Sequence, residues 1–255
     1  MSVKSKLAMG VILAVAVSHC GPFEVSAQLP DNFDTDKTYW DGATVDVSGT
    51  VWDGVQGTSE GFVSRIDANQ TNSGQLALQI TDTASNGTSG SPFDVAALYQ
   101  DVTGNFDVKV EMPVVPPETP YLSHALGAWN GGDLTQAVHI DNLRGTGNDL
   151  RFRDSVGPDE FPLTDGPAQW IRLQRTGNIF TGYFGPDGTN WTKIGDIDRD
   201  YGATLRVGVS AWNFNAEPFT AVFDNYMIVP EPSTAMMSLI GLMLLAGGQV
   251  WRKRG

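Results

Sequence analysis

The chain has 255 residues, of which 29 are acidic and 16 are basic, giving a formal net charge of −13 at pH 7. A surface this acidic repels the phosphates of nucleic acids and the head groups of anionic lipids, so nucleic-acid binding is excluded as a function. The single cysteine, Cys20, has no partner for a disulfide bond, so a hydrophobic core has to stabilise the fold.

The N-terminus has the three parts of a secretory signal peptide. Two lysines precede an apolar run at 7–17, and the small-residue site Val25-Ser26-Ala27 follows. We predict a signal peptide over residues 1–27, with cleavage at the end of that site. A lipoprotein signal is the alternative, but His19 precedes Cys20 at a position where that signal has a small residue.

The segment 28–229 has the pattern of short β-strands. Apolar and polar residues alternate between turns rich in glycine, proline, asparagine and aspartate. The predicted strands are 76–81, 106–112, 137–141, 150–153, 170–175, 179–184, 205–212 and 220–229. No segment between the termini shows a helical period, so we expect one all-β domain over 28–229, built as a sandwich of two antiparallel sheets.

The C-terminal segment 230–255 differs in composition from the domain before it. Pro230-Glu231-Pro232 is expected to end the sandwich, because proline cannot continue a paired strand. An apolar helix is expected over 235–250, and the tail Arg252, Lys253 and Arg254 would stay on the cytoplasmic side of a membrane. This order of features resembles the PEP-CTERM sorting signal of bacteria. The resemblance implies that an exosortase-type membrane protease is a partner of the chain.

The domain itself resembles a second family. The stretches DNFDTDKTYWDG (31–42), WIRLQRTGNIFTGYFGPDGTNWTKIG (170–195) and AVFDNYMI (221–228) are similar to concanavalin A-like lectin/glucanase domains, and most of all to laminin-G-like jelly rolls. The resemblance implies a two-sheet jelly-roll sandwich. Within the second stretch, Asp187-Gly188 predicts a tight hairpin turn, with Trp191 at the start of the returning strand.

Alternation places one set of side chains on a shared outer face, provided that their strands belong to one sheet. If Val138 and Ile140 face inward, His139 and Asp141 face outward, and the same alternation assigns inward and outward positions in the neighbouring predicted strands. The set comprises Trp129, His139, Asp141, Arg151, Arg153, Arg206 and Trp212, with Asn130 and Asn213 at the rim. Exposed tryptophans beside guanidinium and carboxylate groups are typical of a sugar-binding platform. The alternative is that both tryptophans are buried by packing.

Calcium is the cofactor that the resemblance implies, since concanavalin A-like domains frequently hold a structural Ca²⁺. Asp31 and Asp34 stand near the start of the domain and Asp224 stands in its last predicted strand, and the termini of a jelly roll are often neighbours. These three are the candidate ligands; the alternative is that they are solvated surface carboxylates. A second acidic run at 196–202 fails as an EF-hand, because its glycine comes one place late and no glutamate closes the loop.

Catalytic motifs lack the context that they need. The stretch 57–61 matches the nucleophile elbow G-x-S-x-G, but the residues after it alternate like a strand where that motif requires a helix. The glucanases of the resembled family carry E-x-D-x-x-E or E-x-D-x-E, and neither spacing occurs in this sequence. His124 and His139 without cysteines make a weak zinc site. The sequence therefore predicts that the chain is not an enzyme.

Together, these patterns predict an exported protein of the cell envelope, anchored by its C-terminal helix or released to the extracellular matrix after processing. Its sandwich is expected to be a non-catalytic module that binds carbohydrate or an exopolysaccharide matrix. The expected partners are therefore the sorting protease, a glycan and the membrane. Two alternatives stay open: a structural or adhesive surface protein without a specific ligand, and a glycoside hydrolase with an unrecognised pair of carboxylates.

Overall fold

The structure is a computed structural model that describes residues 31–57, 61–81, 96–113, 122–144, 148–155, 160–163, 168–213 and 218–230. These residues form β-strands joined by turns, and no α-helix occurs among them. The predicted signal peptide (1–27) and the sorting segment after Pro230 lie outside the described residues. Within the described ranges, no helix is long and apolar enough to cross a membrane.

The strands pair into two antiparallel sheets. In chain order they are β1 (Lys37–Trp40), β2 (Gly54–Gln56), β3 (Val63–Ala68), β4 (Leu76–Ile80), β5 (Ala97–Thr103), β6 (Phe106–Glu111), β7 (Leu122–Asn130), β8 (Asp133–Arg144), β9 (Asn148–Asp154), β10 (Glu160–Leu163), β11 (Trp170–Thr176), β12 (Ile179–Gly185), β13 (Thr192–Asp198), β14 (Thr204–Asn213) and β15 (Phe219–Pro230). One sheet has the order β1-β3-β4-β15-β6-β11-β12-β13, and the other has the order β10-β9-β8-β7-β14-β5-β2. The prediction of an all-β sandwich with two antiparallel sheets is confirmed.

The hydrophobic core lies between the two sheets because apolar residues alternate along the strands. In β6, Phe106, Val108 and Val110 are buried, and the residues between them face outward. In β14, the inward positions run from Leu205 to Ala211 in steps of two, and all are buried. Each large apolar side chain removed from water contributes about 1.5–3 kcal/mol, so the two inner faces supply the stability that disulfides would otherwise provide.

Strand β15 occupies the centre of the eight-stranded sheet. Its first half pairs with β4, and its second half pairs with β6 after an irregularity at Asp224, where Asn225 takes a positive φ of 51°. The strand extends one residue beyond the predicted end, to Pro230, since proline tolerates the extended backbone at the last position of a strand. Asp31 forms an isolated bridge with Tyr226, so the start of the domain lies beside its last strand.

The predicted hairpin at 184–191 joins β12 and β13. Gly188 has φ of +69°, as the turn requires, and the returning strand begins at Thr192, one residue later than predicted. The Asp187 carboxylate accepts hydrogen bonds from the backbone N–H and the side chains of both Thr189 and Asn190. These bonds hold the turn and lower the pKa of Asp187.

Candidate functional site

The predicted set of site residues lies on the outer face of the seven-stranded sheet. The register aligns Arg206 with Trp129 in one row and His139 with Arg153 in the next. A third row aligns Ser210, Ala125, Asp141 and Arg151. Trp212 follows one row further, two residues beyond Ser210 on the same face of β14. The strands therefore share one sheet, and the seven side chains share one face, as the alternation predicted.

The exposure expected for the two tryptophans is wrong. Trp129 is 0% exposed and Trp212 is 1% exposed. The Trp129 ring packs edge-on against Tyr99, with centroids 5.9 Å apart, and its Nε1–H donates to Oε1 of Gln56 at 3.1 Å. Alternation along a strand determines which face a ring occupies, but contacts with the rest of the chain determine whether water reaches it. Neither ring is an open stacking platform.

His139 is a buried, neutral imidazole on this face. Its Nε2 accepts a hydrogen bond from Nε of Arg153 at 2.9 Å, and its ring lies edge-on to Trp212 with centroids 6.2 Å apart. Burial, and then the charges of Arg153 and Arg151, lower the pKa of His139 well below its usual value. An imidazole that accepts from an arginine carries its own proton on Nδ1 and is uncharged at neutral pH.

Asp141 and Arg151 form an ion pair one row away from this histidine. Nη2 of Arg151 donates to Oδ2 of Asp141 at 2.7 Å, and the carboxylate is 0% exposed while the arginine side chain is 15% exposed. Breaking a buried pair leaves an uncompensated charge, which is costly. His139 and Asp141 are both buried, and each is bonded to an arginine that is partly exposed.

The accessible part of this face lies around Arg206, on the side of the sheet formed by β14, β5 and β2. Its guanidinium carbon lies 4.3 Å from the centroid of the Tyr99 ring, and its Nη1 donates to Oε1 of Gln56 at 2.8 Å. Nε of Arg206 is 3.8 Å from Oδ1 of Asp101. Side chains here are open to solvent: that of Asp101 is 53% exposed and that of Arg206 is 27% exposed.

Sequence reasoning found Arg206 and missed its three neighbours. Tyr99 and Asp101 belong to β5, and Gln56 belongs to β2. Strand β5 was not predicted because its inward position 100 is a glutamine, Gln100, which interrupts the apolar alternation although it is buried. A Tyr-x-Asp pair two residues apart was the available signal for a polar strand face.

The two asparagines predicted at the rim have different outcomes. Asn130 ends β7 and stabilises the following turn, since its Oδ1 accepts from the Gly132 N–H at 2.9 Å and its Nδ2 donates to Gln136. Asn213 ends β14 and is paired with Leu122, and its side chain lies outside the described residues. Ser59 of the G-x-S-x-G match also lies outside them, and β3 follows where the elbow needs a helix.

The candidate calcium ligands Asp31, Asp34 and Asp224 lie near one another, where the start of the domain meets its last strand. Both carboxylate oxygens of Asp31 accept hydrogen bonds, one from the Phe33 N–H and one from Nε1 of Trp52. Partial burial, and then Glu111 and Asp34, raise the pKa of Asp224, which places Asp34 and Asp224 within electrostatic reach. Among the residues that the structure describes, no group of three His, Cys, Asp or Glu side chains is arranged to hold a metal ion. Calcium binding by Asp31, Asp34 and Asp224 stays a prediction.

Comparison with solved structures defines the class of fold. The GH43 protein BlXynB from Bacillus licheniformis superposes with a TM-score of 0.58 at 13% identity, over 80% of this chain and 39% of that one. A functionally unknown protein from Saccharomyces cerevisiae gives 0.50 at 14% identity, over 62% and 89%. A lichenase from a mouse hindgut metagenome gives 0.46 at 14% identity, over 80% and 99%. The domain has the concanavalin A-like jelly-roll fold.

No family model matches the sequence. No curated protein matches it either. The prediction that the chain is not an enzyme is corrected by the structural comparison, because 80% of the chain superposes on part of a GH43 protein. The absence of two sequence motifs cannot exclude catalysis, since catalytic carboxyl groups can come from different strands and are then separated widely in sequence.

Proposed function

We propose that the sandwich recognises carbohydrate on the outer face of its seven-stranded sheet, at the exposed end around Arg206. The observation that carries the proposal is the open pair of Arg206 and Asp101. At 3.8 Å the two groups do not close into a tight ion pair, so each can bond a hydroxyl of a sugar. The guanidinium donates, the carboxylate accepts, and together they suit two adjacent hydroxyl groups.

The surroundings of this pair favour a preorganised site. Arg206 is held against the Tyr99 ring and bonded to Gln56, which also accepts from the buried Trp129. A side chain fixed in this way loses little conformational freedom when a ligand binds. The structural similarity to a GH43 protein supports a saccharide as the class of ligand.

The test is calorimetric titration with soluble xylan and mixed-linkage β-glucan. Arg206→Met keeps the apolar stem against Tyr99 and removes the donors, and Asp101→Asn removes the anionic acceptor. Each is expected to weaken binding by about tenfold, the effect of one charge-assisted hydrogen bond. Lys193→Met is the matched control, since Lys193 is an ion-paired surface cation of the other sheet. Unchanged affinity in both site variants would contradict the proposal, as would the absence of binding to either polymer.

Glycoside hydrolysis is the second candidate, and the similarity of the fold to a GH43 protein favours it. Such chemistry uses two carboxyl groups about 5–9.5 Å apart. Asp101 is exposed on this face, whereas Asp141 is fully buried and lies three strands away, more than about 14 Å, so the two do not form such a pair. A catalytic partner for Asp101 would therefore be a carboxyl group other than Asp141.

Reducing-sugar release from xylan and β-glucan tests this second candidate. Release by the parent protein and its loss in a folded Asp101→Asn variant would support hydrolysis that uses the exposed carboxylate of Asp101. No release from either polymer would count against it.

The proposal also places the domain outside the cytoplasm. The signal peptide at 1–27 would direct export, and the sorting tail at 230–255 would be recognised by an exosortase-type protease and hold the protein at the membrane until it is processed. Terminal peptides identified by mass spectrometry from membrane and culture fractions test this. Gln28 is the expected first residue, and an uncut chain in the cytoplasm would contradict it.

A further inference from the structure

A second groove lies on the opposite side of the molecule, on the outer face of the eight-stranded sheet. It has a volume of about 340 Å³ and is lined by Asp107, Lys109, Arg172, Thr189, Trp191 and Met227. The first three come from β6 and β11, and Met227 comes from β15, the other neighbour of β6 in the sheet. The hairpin between β12 and β13 contributes Thr189 and Trp191. These residues are remote from the face proposed to bind carbohydrate, because the hydrophobic core separates the two outer faces.

The wall of this groove is built to a fixed shape. A Cβ atom at Gly185 would come within 2.2 Å of the carbonyl oxygen of Asn190, and one at Gly188 would come within 2.9 Å of the Trp170 ring. The hairpin can therefore fold back over Trp170 only because both positions are glycine. Nζ of Lys109 donates to the carbonyl oxygen of Gly188 at 3.1 Å, which fastens the hairpin to β6.

Arg172 forms the floor of the groove and remains charged. It donates from Nε and Nη2 to the two carboxylate oxygens of Asp107, and this bonding raises its pKa. Its guanidinium lies 5.1 Å from the centroid of the Tyr183 ring and 5.5 Å from that of the Trp191 ring. Among the described residues, its Nη1 makes no hydrogen bond, so a donor remains for a ligand.

The charge of the lining differs from that of the chain as a whole. Lys109 and Arg172 are opposed in the lining by the single carboxylate of Asp107, which gives a net charge of +1 in a chain with a net charge of −13. Nζ of Lys109 uses one of its three N–H donors on Gly188, and it lies 5.6 Å from the centroid of the Trp170 ring. Two cations with unused donors beside a half-buried indole suit an anion that is attached to a ring with an apolar face.

We propose that this groove binds an acidic saccharide, with the C–H face of a sugar ring on Trp191 and its carboxylate on Lys109 and Arg172. The ring supplies contact area, and the cations discriminate a uronic acid from a neutral sugar. This site is separate from the one under Proposed function, and it selects a different chemical class of ligand. A polysaccharide that contains uronate residues could bind in this groove without contacting the site around Arg206.

Calorimetric titration of the whole protein with a uronate tetrasaccharide, at two salt concentrations, tests the proposal. Trp191→Ala is expected to weaken binding by about tenfold, as loss of a stacking ring does for other ring ligands. Trp191→Phe is expected to restore part of it. Lys109→Met keeps the apolar stem over Trp170 and removes the charge, so affinity is expected to fall severalfold and to depend less on salt.

Lys37→Met is the matched control for net charge. Lys37 is an ion-paired cation of β1, at the edge of the sheet remote from the groove, and its removal is expected to leave affinity within about twofold of the parent. Thermal melting checks that every variant is folded. No uronate binding, equal binding of a neutral tetrasaccharide, or full affinity in folded Trp191→Ala would each overturn the proposal. The Arg206→Met variant is expected to bind uronate normally, so failure at one site is distinguishable from failure at the other.

Discussion

Replacement of Trp129 by alanine is expected to destabilise the domain by about 3–5 kcal/mol. The side chain is fully buried, and an aromatic side chain of this kind removes about 150–250 Å² from water. At about 25 cal/mol per Å² this corresponds to several kcal/mol, which agrees with the usual cost of truncating a buried tryptophan. The lost N–H bond adds little, because Oε1 of Gln56 still accepts from Arg206 at 2.8 Å.

Urea denaturation of the purified protein measures this loss. Trp129→Phe keeps a ring in the site and is expected to cost about 1–2 kcal/mol. Ile179→Ala is the control, since Ile179 is 46% exposed and its truncation is expected to cost less than about 1 kcal/mol. A Trp129→Ala variant as stable as the Ile179→Ala variant would refute the reasoning and would restore the interpretation of Trp129 as an exposed sugar platform.

Three further predictions concern pH, packing and metal. The pKa of His139 is lowered in the folded state, so below about pH 6.5 the unfolded chain binds a proton that the folded chain does not. The free energy of unfolding is therefore expected to be highest above about pH 6.5 and to decline as the pH falls. His139→Gln is expected to make this decline smaller, as measured by the urea midpoint at each pH. Gly208→Ala places a Cβ atom 2.1 Å from the carbonyl oxygen of Leu98 and is expected to lower the free energy of unfolding by more than about 2 kcal/mol. In Gly132→Ala the new Cβ atom would lie 3.5 Å from its nearest neighbour, so the loss is expected to be less than about 1 kcal/mol. Thermal melting of the two variants compares these losses. Ca²⁺ is expected to raise the melting temperature of the parent protein relative to EDTA, and Asp224→Asn is expected to abolish this rise. Equal melting temperatures of the parent with and without Ca²⁺ would contradict the prediction of calcium binding.

Much of the fold could be predicted because alternation is a local property. The inward positions of 205–212 and 137–141 follow from a period of two, and the structure places Arg206 and His139 on one outer face accordingly. Pairing partners are not local, so nothing in the sequence showed that β15 would lie between β4 and β6.

The accessible part of the candidate site was harder to predict for the same reason. Whether Trp129 or Arg206 faces water depends on Tyr99 and Gln56, which are separated from them by many residues in sequence. The stretch 170–195 illustrates the same limit. It identified the fold, but only the contacts of Arg172 with Asp107 and Trp191 reveal a charged groove there.

The central position of the last strand also constrains how the domain is made. Until residues 219–230 are available, β4 and β6 each have an open edge in the middle of what will become one sheet, and such edges invite pairing with other chains. Folding therefore cannot finish until residues 219–230 have been synthesised and have paired with both of these strands.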